Sequence, residues 1–170
     1  MANLVARMVG AAGFNARSYE EVEADSTANM QAIAVVILSS VGAAIGIGAV
    51  DFRSLVGLLA GAIVTWLVWV ALTVFIGTKL LPGTETKSNF GEILRTTGFS
   101  SSVGVLRALG IVPVIGPLLF SLVTIWMLLT FVIAIRQALD YTSTARALAV
   151  CLLGWIIHAI LFLGLARVAI

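Results

Sequence analysis

Four stretches of this 170-residue chain contain no Asp, Glu, Lys or Arg: 26–50, 54–78, 108–135 and 147–166. An α-helix rises about 1.5 Å per residue, so roughly 20 residues cross a hydrocarbon layer of about 30 Å. Each run is long enough for one crossing, and spans are expected near 31–50, 55–78, 114–135 and 147–165. Charged residues make up 11% of the chain, against about 25% in an ordinary soluble domain, too few to cover a folded surface in water. With a mean hydropathy of +1.13, the expected solvent for most of that surface is lipid.

Residues 96–106 are uncharged but short, flanked by Arg95 and Arg107. Extended back to Phe90, the stretch reaches membrane length, with Glu92 and Arg95 three apart on one helix face and able to pair. Pro113, Gly116 and Pro117 then end one helix and start the next. The expected fold is all-α: a polytopic transmembrane helix bundle of about five spans. With five, Arg7, Arg17, Lys79, Lys87, Arg95, Arg136 and Arg146 lie on one face, and Arg53, Arg107 and Arg167 on the other. Basic residues favour the cytoplasmic side, so the N-terminus is expected inside, in the cell inner membrane, and the C-terminus outside. Every charged group can sit at a span end, with Arg107, Arg136 and Arg167 snorkelling to the interface.

Residues 1–25 read as a cytoplasmic lead, separate from a membrane domain at 26–170. Leu4, Val5, Met8, Val9 and Ala12 recur at helical spacing, with Arg7 off that face, which predicts an interfacial helix on the membrane surface. Broken by Arg7 and Gly10, this stretch is not expected to be a cleaved signal, and neither end carries a lipidation motif. The acidic cluster that follows, Glu20, Glu21, Glu23 and Asp25, is repelled by an anionic leaflet. Together with Lys87 and Arg95 it forms the candidate contact surface for a protein partner.

Within lipid, small residues let helix backbones approach. Gly42 and Gly46, and Gly57 and Gly61, are four apart and are expected to line a hairpin of spans one and two. Trp66 and Trp69 share a face and are read as packing inside the bundle. No catalytic, cofactor or metal site is expected. His158 is the only histidine and Cys151 the only cysteine, so paired-histidine metal helices and internal disulfides have no residues to form them. Ser100, Ser101 and Ser102 with His158 would be needed for a Ser–His dyad, but the expectation is that the serines bond helix to helix and His158 bonds a backbone or serine group. The ten basic residues are scattered, which argues against a nucleic-acid surface.

The text from Leu94 to Ser102 (Leu-Arg-Thr-Thr-Gly-Phe-Ser-Ser-Ser), the turn Ile111–Pro117, Trp126, and Arg136-Gln137-Ala138 with Tyr141 through Leu148 resemble the Yip family, membrane proteins that interact with Ypt/Rab GTPases. Where members often carry a proline after the Gly-aromatic-small run, this chain has Val103; where the lead often carries one, it has Asn15-Ala16. The resemblance implies a five-span Yip-type domain of small prokaryotic style. The function expected is that of a non-catalytic scaffold or accessory subunit of a membrane region or complex, with the bilayer and a protein partner or further copies of itself as partners. The alternative is a small pathway for lipid or an apolar solute.

Overall fold

The computed structural model describes residues 3–49, 51–84 and 86–168, with side chains through Ile160. The expectations placed on Val50 as a span end, on the Arg167 side chain and on the C-terminus at Ile170 lie outside the described residues. Seven α-helices follow one another: α1 (Leu4–Ala12), α2 (Ala16–Ala24), α3 (Asn29–Gly46), α4 (Phe52–Phe75), α5 (Phe90–Ser100), α6 (Gly116–Ala138) and α7 (Thr144–Val168). Among the described residues there is no strand. The protein is all-α, as expected. Asn3, Asn15, Asp51 and Asn89 each cap the helix that follows, and Asn89 forms a reciprocal capping box with Glu92.

Among the described residues three helices are long and apolar enough to cross a membrane, Ser26–Gly46, Phe52–Leu80 and Gly116–Ala138, and Thr144–Ile160 is a shorter apolar stretch. The middle one has a mean hydropathy of 2.4 with 11% of its most apolar window buried. In α4 only Trp66, Val70 and Thr73 are buried, while Phe52, Val64 and Phe75 point outward. A helix apolar on all sides and covered on one is suited to lipid, and the protein is built to be embedded in a membrane.

The chain passes up and down between two ends. The lead (α1 and α2), the connection 81–89 and the turn 139–143 gather at one, called here the lead end. The end of α3 at Gly46, which meets Arg107 and Gly110, and the turn at 112–115 lie at the other, the distal end. Val114 tips the distal turn, 96% exposed and at φ 69°, a left-handed conformation that a β-branched residue rarely adopts.

The core sits toward the lead end. Tyr19, Val22, Ala28, Val35, Ile93, Phe99 and Ile135 are fully enclosed there. The lead is therefore part of the core, which corrects its expected role as a separate surface element. Arg7 and Ala11 carry the buried side of α1, and Val5 and Val9 face outward, so the inward face is the one that includes Arg7. The reason is chemical: on that side Arg7 meets Glu21 at 3.0 Å and Asp25 at 2.7 Å, whose carboxylates still reach solvent, and donates also to Gln31.

Between α5 and α6 the chain runs as a 3₁₀ segment, Ser101–Ile111. Such runs are uncommon beyond three or four residues. Upstream hydroxyls explain the change of winding. Thr97 donates to the Ile93 carbonyl, Ser100 to Thr97 and Ser102 to Phe99, each engaging an acceptor that the α-helical ladder uses. The serines thus bond within their own strand of chain and not from helix to helix. With three residues per turn, Gly104, Arg107 and Gly110 fall on one line. That line faces the small-residue side of α3. A Cβ on Gly42 would stand 2.6 Å from the Val105 carbonyl oxygen, and one on Gly110 would stand 2.9 Å from that of Gly46. Gly46 approaches the Arg107 carbonyl as closely. Gly57 and Gly61 have nothing within 4 Å of a Cβ. The glycine expectation is thus corrected: Gly42 and Gly46 make a close crossing, but with the 3₁₀ segment, and the α4 pair faces outward.

Candidate functional site

At the lead end, buried polar groups fasten the lead to the bundle. Tyr19 is fully buried and its hydroxyl lies 3.0 Å from the Ala11 carbonyl and 3.3 Å from that of Thr130. Burial pushes its ionisation well above the ordinary tyrosine range. Trp126, partly exposed and midway along α6, donates from Nε1 to the Ala12 carbonyl at 2.9 Å. Arg95 is 6% exposed. It donates from Nε to the Val22 carbonyl at 2.8 Å, from Nη1 to Asn29 Oδ1 at 3.1 Å and from Nη2 to the Glu23 carbonyl. It thereby satisfies carbonyls left over at the C-terminus of α2. Arg95 is a fastener, not the partner-contacting residue expected, and it does not pair with Glu92, whose carboxylate accepts from the Asn89 backbone.

The acidic cluster is divided by the same packing. Asp25 and the exposed Glu21 are engaged by Arg7; Glu20 is exposed and unengaged by Arg7, and Lys87 is exposed across the lead end. Glu23 is half-buried, and desolvation, with Asp140 and Glu92 nearby, raises its carboxyl to about 7 against the pull of Arg95. Asp25 is held at about 2 by hydrogen bonds from Thr27 and Arg7. Thr86 donates to the Leu139 carbonyl at 2.7 Å and Tyr141 to that of Leu81 at 2.6 Å, tying the connection 81–89 to the turn after α6. The result is a polar network that ties the lead, the connection and the turn after α6 to the bundle.

A second feature lies deeper. A cleft of about 380 Å³ opens where Thr65, Leu128 and Trp155 are exposed, between α3, α4, α6, α7 and the 3₁₀ segment. Trp66 closes one side and donates to Thr97 Oγ1 at 3.0 Å. Trp69 packs its ring edge-on to Phe131, with centroids 5.8 Å apart, and stacks on His158 at 5.8 Å. His158 therefore makes a ring contact where a hydrogen bond was expected, and its Nδ1 has no partner among the described residues. Ser100, Ser101 and Ser102 are bonded to Thr97 or Phe99, not to His158. Cys151 is buried. Among the described residues no three His, Cys, Asp or Glu side chains converge as metal ligands.

Arg107 lines this cleft. Its Nη2 donates to the Ser39 carbonyl at 3.2 Å and to Ser39 Oγ at 3.0 Å, and Nε to the Gly104 carbonyl at 3.3 Å. The guanidinium also lies 5.7 Å from the centre of the Phe120 ring. Ser39 stands about 10 Å inside the distal end of α3 and about 15 Å from its start. Arg107 thus reaches toward the middle of an apolar helix and does not snorkel out, as its place beside the turn suggested. The cause is the 3₁₀ winding, which aligns Arg107 with Gly104 and Gly110 against α3. A charge held inside an apolar bundle, even in its distal half, is costly, and such residues mark functional sites. Among the described residues no carboxylate forms an ion pair with it. The sequence signal was the Gly-x-x-Arg-x-x-Gly spacing over 104–110, legible only to a reader who allowed a three-residue turn.

No family model, curated protein or solved structure matches this chain.

Proposed function

We propose that the chain is a five-crossing integral membrane protein of the inner membrane, a small Yip-like member that acts without covalent chemistry as a scaffold or accessory subunit. The reading of five crossings is supported by length. α5 and the 3₁₀ segment together rise about 38 Å, as much as α7, and run from the lead end to the distal end, while α7 sets out from the lead end. The seven-to-three distribution of basic residues favours the lead end as cytoplasmic. There Val5 and Val9, outward on α1, suit contact with the headgroup layer. The Yip reading rests on the text at 94–102, 111–117 and 136–148.

The scaffold role is carried by one observation, the fastening of the lead. A surface held by Tyr19, Arg95 and Trp126 is ordered before a partner arrives, so association loses little conformational freedom. Glu20 and Lys87 are among its exposed charges. Native purification in mild detergent tests this. A stoichiometric partner that Glu20→Lys reduces supports the scaffold. A chain that purifies alone, as one copy or several, and moves lipid in liposomes supports the second reading, a lipid or apolar-solute pathway, which the cleft favours. Truncating the lead is a poor test, because it would strip Tyr19 and Val22 from the core.

A further inference from the structure

We propose that the Arg107 cleft binds the anionic headgroup of a membrane lipid, with one acyl chain lying in the apolar slot beside it. The inference rests on the membrane-embedded reading and deepens its second form, the lipid pathway.

The cleft has the size of an ordinary small-molecule site, which runs from about 300 to 1,000 Å³. Its one charged lining residue, Arg107, stands at one end. Arg107, Ser39 and Thr124 lie toward the distal end; along the rest, apolar side chains and tryptophans alternate with Ser40, Thr65, Ser100 and Ser101, and the hydroxyls of Ser40, Ser100 and Ser101 donate to carbonyls of their own segments. A guanidinium has five N–H donors. Nη2 and Nε are engaged with Ser39 and Gly104, and the two on Nη1 have no partner among the described residues. Each of these N–H groups can give a charge-assisted hydrogen bond to an oxygen of a phosphate or carboxylate. Because Ser39 and Phe120 hold the guanidinium, it is positioned in advance.

A second, wholly apolar slot of about 180 Å³ adjoins the cleft and shares Leu128, Phe131 and Trp155 with it. It continues toward Leu148 and Cys151, on the lead-end half of α7. One continuous trough therefore joins a cation near the distal end to an apolar channel pointing the other way. That is the polarity of a lipid whose headgroup belongs to the distal leaflet and whose tail points to the midplane. A free anion would leave the slot without a use, and an uncharged apolar solute would leave Arg107 without a counter-ion.

The test is native mass spectrometry of the detergent-purified full chain, titrated with phosphatidylglycerol, phosphatidylcholine or inorganic phosphate. The expected result is one tightly held phosphatidylglycerol, with phosphatidylcholine at least about tenfold weaker and inorganic phosphate not displacing it. Arg107→Gln should lose that preference by about tenfold or more, the loss of one charge-assisted hydrogen-bond pair. Arg107→Gln also gives up contacts to Ser39, so Ala62→Trp, which fills the cleft from α4 and leaves Arg107 in place, serves as a second variant and should block binding with melting unchanged. Equal binding of the two lipids, displacement by inorganic phosphate, or preference retained in both variants would overturn the proposal. Partner capture and lipid flux are separate readouts, so failure of the scaffold or pathway reading is distinguishable from failure of lipid binding.

Discussion

Adding one methyl group at Gly42 should weaken the fold, while the same change at Gly57 should strengthen it. At Gly42 the new Cβ would meet the Val105 carbonyl oxygen at 2.6 Å, with Gly104 O and Val105 Cα at 3.0 Å. Ordinary contact begins near 3.4 Å, so α3 and the 3₁₀ segment must part by several tenths of an ångström. The neighbouring atoms are backbone and cannot turn aside. A gap of about 0.5–1 Å forfeits a quarter to a half of each dispersion contact along the crossing, and overpacking of this kind costs about 1–3 kcal/mol. Alanine returns about 0.5–1 kcal/mol through its better helix propensity. The net for Gly42→Ala is a loss of about 0.5–2 kcal/mol, larger for Gly42→Leu. Gly57 has nothing within 4 Å, so only the propensity gain applies and Gly57→Ala should gain about 0.5–1 kcal/mol. Reversible unfolding in mixed micelles reads both. Two variants shifted equally, or Gly57→Ala the weaker, would refute the close crossing of α3 and the 3₁₀ segment.

Arg95→Ala should release the lead, with a loss of about 1–3 kcal/mol from buried carbonyls left unpaired and faster proteolysis within residues 13–28; Arg95→Lys should rescue little, because an ammonium cannot span three acceptors in a plane. Glu23 binds its proton more tightly folded than unfolded, so stability should be full below about pH 4.5 and fall as pH rises to about 7; a Glu23→Gln variant should flatten that slope in a melting series, and an unchanged slope would contradict the assignment. Asp25 acts in the opposite sense, its contribution present near neutral pH and lost as pH falls toward 2, and Asp25→Asn should remove that acid limb. Val114→Gly should raise the melting temperature, since a β-branched residue at φ 69° is held about 1–2 kcal/mol above a relaxed turn; no change would show the turn to be unstrained.

Much of the architecture was legible because lipid imposes long apolar runs, and the runs at 54–78 and 108–135 map directly onto α4 and α6. The end of the first span was not, because Gly46 and Gly48 stop α3 early, Gly48 at φ 74°. The lead was misread for a different reason. Its helical periodicity was correctly seen, but Arg7 was assigned to the wet side, since a sequence does not show that Glu21, Asp25 and Gln31 will meet it. Spacing likewise paired Arg95 with Glu92, whereas tertiary contact gave it the carbonyls of Val22 and Glu23. Gly57 and Gly61 show the limit of a small-residue rule: the same four-residue spacing lies at a crossing in α3 and on an outward face in α4. The cleft escaped notice because it depends on the 3₁₀ winding of Ser101–Ile111, which hydroxyl back-bonding sets and helical periodicity does not register.

The claim beneath the rest is that α5 and the 3₁₀ segment cross the membrane as one rod. With Cys151 replaced by serine, single cysteines at Lys87, exposed at the lead end, and at Val114, the tip of the distal turn, can be labelled with a membrane-impermeant maleimide in oriented vesicles. Five crossings require the two sites to react from opposite sides, Lys87→Cys from the cytoplasmic face. Reaction of both from the same side would mean that the segment re-enters without crossing, and the five-span reading would fall.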